Sequence, residues 1–439
     1  MFKIKSELRK KWSMYNVSIV DTPTCAIIYN TQSGRICRIR KTPSMELNDV
    51  STAWLVHRGF LVDEQYDEFD NLLKRSRAIS EECNHPDIDI TLTPSLKCNM
   101  RCRYCFENEI RSKTTPRLIS SENLKHAENF IIDIANRDNV KNLNLTWFGG
   151  EPLIHSELLI NFSKKIRSRL HNSKQLHVRV ITNGSLLSTE LLQKLINVGG
   201  LESVQISIDG ERDLFSQIRQ VDEKIYDKIV DNIILCSNYT KTTLRLNTSP
   251  TNVDDIYKFI KKLSNRVTKK ENIIFKISEI INYNNDTNFF IETFRPGVFR
   301  KIYRKLAKYI NNLGFNQKWN YIEGYYPLGC KYFFKNNYVI DPDGNLYKCE
   351  HHMGEPDFIL GNVAYGLKDE NMCHHIYYND GIDNICKTCS LYPVCKYASC
   401  YDYRQFLINN QCNIYDEQLA TIVSDITENL KYLLIEDID

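Results

Sequence analysis

The sequence lacks any apolar run long enough to span a bilayer. Its first residues, MFKIKSELRKKWSMYNVS, carry positive charge but have neither an apolar core behind it nor a small-residue cleavage site. No membrane partner and no export are expected, and the expected location is the cytoplasm. An excess of one charge is also missing: 57 Lys plus Arg stand against 54 Asp plus Glu, a formal charge of +3. That balance is too even for the electrostatic footprint of a nucleic-acid binder. Nor is the chain poor in apolar residues; 42% hydrophobic and 25% charged argue against extensive disorder. At 439 residues it exceeds the size at which one core keeps growing, so two or three packed units are expected.

Cysteine, by contrast, is plentiful. Fifteen cysteines without an export signal do not read as a disulfide framework, because cytosolic thiols are kept reduced, and metal binding is the better reading. Their placement is uneven: Cys98, Cys102 and Cys105 form one knot, and eight lie between Cys330 and Cys412. Cys25, Cys37, Cys83 and Cys236 are scattered and read as small buried hydrophobes.

Apolar and polar residues alternate from Tyr15 to Arg40 around the turn signal Thr31-Gln32-Ser33-Gly34, which predicts a β-hairpin. Helical patterns follow from about Met45 to His57 and from Asp63 to Arg77, separated by Gly59. After Asp87 the pattern becomes strand, loop, helix, repeated. Six strands are expected, near Ile88 to Leu92, Leu143 to Trp147, Leu176 to Ile181, Ser203 to Ile208, Thr243 to Leu246 and Ile273 to Ile277. Intervening helices such as Ser121 to Ala135, Glu157 to Leu170, Thr189 to Val198 and Tyr226 to Ser237 make the sheet parallel. Six units give a fold class of α/β, an open partial (β/α)6 barrel rather than a closed eight-stranded one. One more helix spans about Gly297 to Leu313; beyond Gly329 the periodicity gives way to loops rich in Cys, Gly, Tyr and Asn, which metal clusters would hold together. The expected division is an α+β module at 1–84, the barrel at 85–290, a helical bridge at 291–328 and a loop-rich domain at 329–439.

The stretch Thr91 to Asn108, TLTPSLKCNMRCRYCFEN, places CxxxCxxC in the loop after the first barrel strand, where catalytic groups of α/β barrels gather. Three soft thiolates suit one iron–sulfur or zinc centre, and three are one short of a closed site. Structural zinc needs a fourth protein ligand, whereas a 4Fe-4S cluster with three cysteines leaves one iron open to a small molecule.

CxxxCxΦC, with Tyr104 at the aromatic place, resembles the signature of radical S-adenosylmethionine enzymes. The resemblance implies that Cys98, Cys102 and Cys105 hold a 4Fe-4S cluster whose open iron binds the cofactor's amino and carboxylate groups. Trp147-Phe148-Gly149-Gly150-Glu151-Pro152, after the second strand, is similar to the family's element contacting the methionyl amino group. Physically, the glycines permit close approach and their carbonyls accept from an ammonium. Thr182-Asn183-Gly184 resembles the next loop of the family. Ser207 and Asp209, in Ser207-Ile208-Asp209-Gly210, offer acceptors for ribose hydroxyls, and Arg219 matches the arginine that pairs with the cofactor carboxylate. Without the resemblance, Ser207 and Asp209 read as turn caps and Arg219 as a solvated charge.

The C-terminal cysteines resemble a SPASM domain, an iron–sulfur domain with two auxiliary 4Fe-4S clusters, which brings the implied total to three. The pattern is Cys330, then GxxxxC from Gly344 to Cys349, then Cys386-x-x-Cys389, Cys395, Cys400 and Cys412. By position, Cys386, Cys389, Cys395 and Cys412 would bind one cluster, and Cys330, Cys349 and Cys400 the other. Four residues separate Cys395 from Cys400 where the family usually has three, and no second cysteine closely follows Cys330. Either Cys373 completes that site or one iron is open. Zinc remains the rival, because CxxC with further cysteines also describes zinc ribbons. His351, His352, His374 and His375 read as exposed polar loop residues. Glu350 occupies the place where some relatives carry an acidic base.

In the family a 5′-deoxyadenosyl radical removes hydrogen from an unactivated carbon, and the protein positions the target. SPASM-bearing relatives mostly modify peptides, so the expected function is maturation of a ribosomally made precursor peptide by a thioether, carbon–carbon or ether cross-link. The alternatives are oxidation of a protein Ser or Cys, as in anaerobic sulfatase maturation, and a non-catalytic metal-binding scaffold. The N-terminal module resembles the winged-helix-like element that captures a leader peptide by strand addition; the other reading is a cap over the barrel edge. A reducing partner such as flavodoxin or ferredoxin is implied.

Overall fold

The computed structural model describes residues 9–41, 47–81, 86–113, 117–281, 291–295, 298–316, 336–368, 384–395, 412, 415–429 and 435–438. The N-terminal part contains β1 (Lys10–Trp12), β2 (Asn16–Asp21), β3 (Cys25–Asn30), β4 (Arg35–Arg40), α1 (Asp49–His57), β5 (Leu61–Asp63) and α2 (Glu68–Glu81). The alternation from Tyr15 to Arg40 holds two turns rather than one, so β2, β3 and β4 form an antiparallel meander. Thr22 makes the extra turn: its Oγ1 accepts from the Cys25 amide at 3.1 Å. Helix α1 starts later than its pattern suggests, because the Asn48 side chain caps it by accepting from the Ser51 amide. The stretch entering the second expected helix is strand β5, paired antiparallel with β1.

The barrel follows as β6 (Asp87–Leu92), α3 (Glu107–Lys113), α4 (Ser121–Ala135), β7 (Asn142–Trp147), α5 (Ser156–Arg169), β8 (Gln175–Thr182), α6 (Thr189–Asn197), β9 (Leu201–Ile208), α7 (Arg212–Arg219), α8 (Glu223–Tyr239), β10 (Lys241–Thr248), α9 (Val253–Arg266), β11 (Ile273–Glu279) and α10 (Val298–Asn312). Strands β6 to β11 are parallel and lie in chain order, as the six-strand reading expects. Side-chain caps from Ser120, Ser188 and Asp222 start α4, α6 and α8.

Strand alternation decides where the site lies. Ile90, Leu145, Val180, Ile206 and Leu244 face the helices and are fully buried in one core. Their strand neighbours Thr91, Thr146, Arg179, Gln205 and Arg245 line a cavity inside the barrel. The barrel is therefore apolar outside, under its helices, and polar within.

Beyond residue 329, in the part expected to be loop-rich, the described residues include short strands. β12 (Asn337–Ile340) pairs parallel with β6 and carries the sheet onward into β13 (Asn345–Tyr347), β14 (Gly361–Asn362) and β15 (Gly366–Leu367). Then come α11 (Asn384–Lys387), α12 (Tyr415–Asn429) and β16 (Ile435–Ile438). Ile422 and Ile426 of α12 pack on Val17, Ile19, Tyr29 and Ile36 of the N-terminal sheet, and β16 pairs parallel with β4. Strand pairing thus joins the expected 1–84 and 85–290 units to residues beyond 329. Buried Asp425 accepts from both Arg300 and Arg304, tying α12 to α10.

Candidate active site at the barrel mouth

Cys98, Cys102 and Cys105 lie in the loop after β6 and all three line a cavity of about 640 Å3. The loop is pinned from beneath: the amides of Arg101 and Arg103 donate to the carbonyls of Arg219 (3.2 Å) and Ile218 (3.0 Å) at the end of α7. Burial pushes the Cys102 thiol up to about 11 and the Cys105 thiol to about 12, and raises Cys98 as well. Arg111 opposes this and donates to Cys105 Sγ at 3.4 Å. Three thiols on one wall, drawn from eight residues, suit a cluster with an open metal position.

Gly149 and Gly150 have φ of +86° and +49°. A Cβ on Gly150 would stand 2.1 Å from the Lys97 carbonyl oxygen, and one on Gly149 would stand 2.0 Å from Thr93 Cγ2. The glycines therefore let the β7 loop lie directly against the backbone that leads into Cys98. The Gly150 amide donates to both oxygens of buried Glu107, at 2.9 and 3.1 Å. Burial lifts Glu107 to about 7 despite Arg111 beside it.

Glu151 is engaged by the protein itself. It is fully buried, and its carboxylate accepts from the Leu153 amide (3.0 Å), Thr182 Oγ1 (2.7 Å) and the Asn183 amide (2.7 Å), lashing the β7 loop to the β8 loop. Gly150 and Asn183 line the cavity.

Ser207 also lines the cavity, but Asp209 does not. Asp209 is fully buried and engaged by three side chains: Oδ1 accepts from Tyr104 (2.8 Å) and Asn247 (3.1 Å), and Oδ2 accepts from Arg219 Nε (2.5 Å). Arg219 is 2% exposed, which rules out a solvated charge, and Nη2 donates to the Tyr104 hydroxyl at 3.0 Å. Tyr104 and Arg219 reach the cavity wall as members of this closed network.

The C-terminal part also lines the cavity, through Glu350, His351, Val394, Gln418 and Ile422. His351 lies 4.1 Å from the Phe106 ring, which stacks on Phe148 at 6.2 Å. The expectation that His351 and His352 are exposed fails, since His351 faces the cavity and His352 is buried on Phe358 at 3.9 Å.

Cys386, Cys389 and Cys395 are half-buried around Tyr392, against Tyr15 and Leu72 of the N-terminal part. Burial, with a smaller contribution from Cys412, raises the Cys389 thiol, so Cys412 is close enough to be felt. Cys349 immediately precedes Glu350. Cys37 and Cys236 are buried and Cys25 is half-buried. Cys83, Cys330, Cys373, Cys400, His374 and His375 lie outside the described residues.

Sequence reasoning missed Glu107, Arg111, Asn247 and Phe106. Only Glu107, Phe106 and Arg111 had a signal, their closeness to Cys105; Asn247 comes from a strand remote in sequence.

Residues 92–263 match the radical SAM superfamily model. The chain is 24% identical over 369 residues, 77% of its length and 95% of the relative's, to a cysteine-type anaerobic sulfatase-maturating enzyme of Clostridium novyi. It is 26% identical to a radical SAM cyclopropyl synthase of Paramaledivibacter caminithermalis, over 34% of each chain. Its fold matches anSMEcpe with bound AdoMet (TM-score 0.61, 17% identity, 79% of this chain and 99% of that one). It also matches Streptococcus suis SuiB bound to S-adenosylmethionine (TM-score 0.55, 14% identity, 92% and 98%). The superfamily works with a 4Fe-4S cluster and S-adenosylmethionine, a pair for which three thiols on one cavity wall are a fitting donor set. The chain therefore carries a radical SAM domain over residues 92–263, and it is an enzyme.

Proposed function

We propose that this enzyme matures a ribosomally made precursor peptide by an intramolecular cross-link, a thioether, carbon–carbon or ether bond. The observation that carries this reading is the composition of the cavity. It is lined both by Cys98, Cys102 and Cys105 and by Glu350 and Val394, which directly follow Cys349 and directly precede Cys395. A substrate in this cavity would reach the radical-forming site and the edge of a SPASM-type domain together.

In this reading Cys98, Cys102 and Cys105 hold the first cluster, and bound S-adenosylmethionine supplies a 5′-deoxyadenosyl radical as hydrogen acceptor. Ser207, Asn183 and Gly150 orient the cofactor from the barrel side. Arg219 takes its carboxylate, held in place by Asp209 and Tyr104. Cys386, Cys389, Cys395 and Cys412 hold one auxiliary cluster; Cys330, Cys349 and Cys400 hold the other, three clusters in all. Glu350 removes a proton from the substrate, and Phe106, Phe148 and His351 exclude water beside it. The enzyme is cytoplasmic, is reduced by a flavodoxin or ferredoxin, and binds a leader segment on its N-terminal module. Two of the fold neighbours were solved with peptides: SuiB with precursor peptide SuiA, and anSMEcpe with a Kp18Cys peptide.

Sulfatase-type oxidation is the second reading, favoured by the Clostridium novyi relative, nearly all of whose length this chain spans. The test incubates reconstituted enzyme, reductant and S-adenosylmethionine with a synthetic pool of cysteine- and serine-containing peptides. A product that has lost a hydrogen pair and resists backbone fragmentation between two residues supports the cross-link. A hydrazine-reactive aldehyde moves the enzyme to the second reading.

A further inference from the structure

The four-stranded N-terminal sheet runs β16-β4-β3-β2, so its N-terminal meander ends on β2 at one side and on β4 at the other, and these two strands are unlike. β2 carries a register shift between Ser18 and Val20, and Val17 and Ile19 pack under α12. A bulged, covered strand is a poor template for another chain. β4 is regular, pairing with β3 from Cys25↔Arg40 to Asn30↔Arg35 without a break. Its far edge takes β16 in parallel, Ile435↔Ile36 through Ile438↔Ile39.

That pairing is short and complementary in charge. β4 reads Arg35-Ile-Cys-Arg38-Ile-Arg40, and β16 reads Ile435-Glu-Asp-Ile438. Asp437 sits opposite Arg38 in register, and Arg38 Nη1 donates to its Oδ1 at 3.2 Å. Both side chains of this pair are largely exposed, so it adds little beyond selecting sign. Ile435 packs into the cluster that holds Ile36 and Ile426. Residues 430–434 join the strand to α12. Because β16 belongs to the same chain, it meets β4 at an effective concentration of about millimolar, so four residues suffice to occupy the edge.

We propose that the β4 edge is the strand-accepting surface for an acidic, apolar-interleaved peptide segment running parallel to β4, and that β16 occupies it in cis until such a segment displaces it. This deepens the peptide-maturase reading and rests on it for the identity of the partner. Main-chain pairing supplies affinity, and the arginines on β4 select an acidic strand. The cis strand sets a threshold, because a free segment has to outcompete the tethered one.

The probe is a fluorescein-labelled peptide with the sequence of residues 430–439, LKYLLIEDID. Anisotropy titrations compare reconstituted full-length enzyme with the same chain lacking 430–439. The truncated chain is expected to bind at least about tenfold more tightly, the factor a millimolar competitor imposes on a ligand of sub-millimolar affinity. A peptide with lysines in place of its acidic residues should lose this binding, and Arg38→Glu in the truncated chain should restore preference for it. If truncation impairs folding, the full-length Ile435→Asp/Asp437→Lys variant serves instead and should bind like the truncated chain. Equal binding by full-length and opened enzyme overturns the inference, as does a folded, opened chain that binds no peptide. A full-length dimer that truncation turns into a monomer also overturns it, since a second copy would then own the edge. 5′-Deoxyadenosine is measured on the same samples: its absence alongside an intact binding switch removes the maturase reading and leaves the edge inference standing.

Discussion

Arg219 donates from Nε to Oδ2 of Asp209 at 2.5 Å, with the two side chains only 3% and 0% exposed, beneath the loop that carries Cys102. The pair joins the end of β9 to the end of α7, and the Arg219 carbonyl in turn receives the Arg101 amide of the cysteine loop. The buried charge that is expected to face a cofactor also holds up the cysteine loop.

Removing one partner leaves the other buried and uncompensated. Asp209→Ala is expected to cost about 3 to 5 kcal/mol of barrel stability in urea unfolding. Because the two residues share one interaction, Asp209→Ala/Arg219→Ala should cost less than the sum of the single variants. Single variants each within about 0.5 kcal/mol of the parent would show that the pair is not structural.

Gly150→Ala introduces a Cβ where the Lys97 carbonyl stands 2.1 Å away, at a φ of +49°. The cysteine loop has to move, so iron should fall by about four atoms per chain, one 4Fe-4S cluster, while circular dichroism stays that of a folded protein. Full iron content in this variant would contradict the account of the glycines.

The Glu151 carboxylate accepts three hydrogen bonds that lash two loops together. Glu151→Gln replaces one acceptor oxygen by a donor that meets another donor. The cavity rim should loosen, and half-saturation for S-adenosylmethionine should rise about tenfold, a loss near 1.4 kcal/mol. Calorimetric titration of the cofactor into the reconstituted variant measures this directly.

Glu350→Gln removes the proposed base without changing shape. Peptide modification should fall by about 10²- to 10⁴-fold while cofactor cleavage persists, uncoupled from product. Equal loss of both would make Glu350 a positioning residue instead.

The barrel was legible because each strand alternates strictly: Leu143, Leu145 and Trp147 face the helices while Thr146 faces the cavity, and no distant residue is needed to see it. The cysteine triplet was legible because its members are neighbours in sequence. Pairings between remote segments were not. β12 joins β6 across some 250 residues, and β16 joins β4 across about 400, distances over which local periodicity carries no information about partners. The side-chain partners of Asp209 and Glu151 were not legible for the same reason: Tyr104, Asn247 and Thr182 come from other segments, and a carboxylate after a strand looks alike whether it awaits a ligand or already holds a guanidinium.

The most direct test is anaerobic reconstitution with iron and sulfide, followed by reductant and S-adenosylmethionine, with 5′-deoxyadenosine and iron measured together. The control is the combined Cys98→Ala, Cys102→Ala and Cys105→Ala chain. The account predicts about twelve irons per chain, three 4Fe-4S clusters, and deoxyadenosine that disappears in the triple variant together with about four of the irons. Deoxyadenosine formed equally by the triple variant, or zinc held in place of iron, would contradict it.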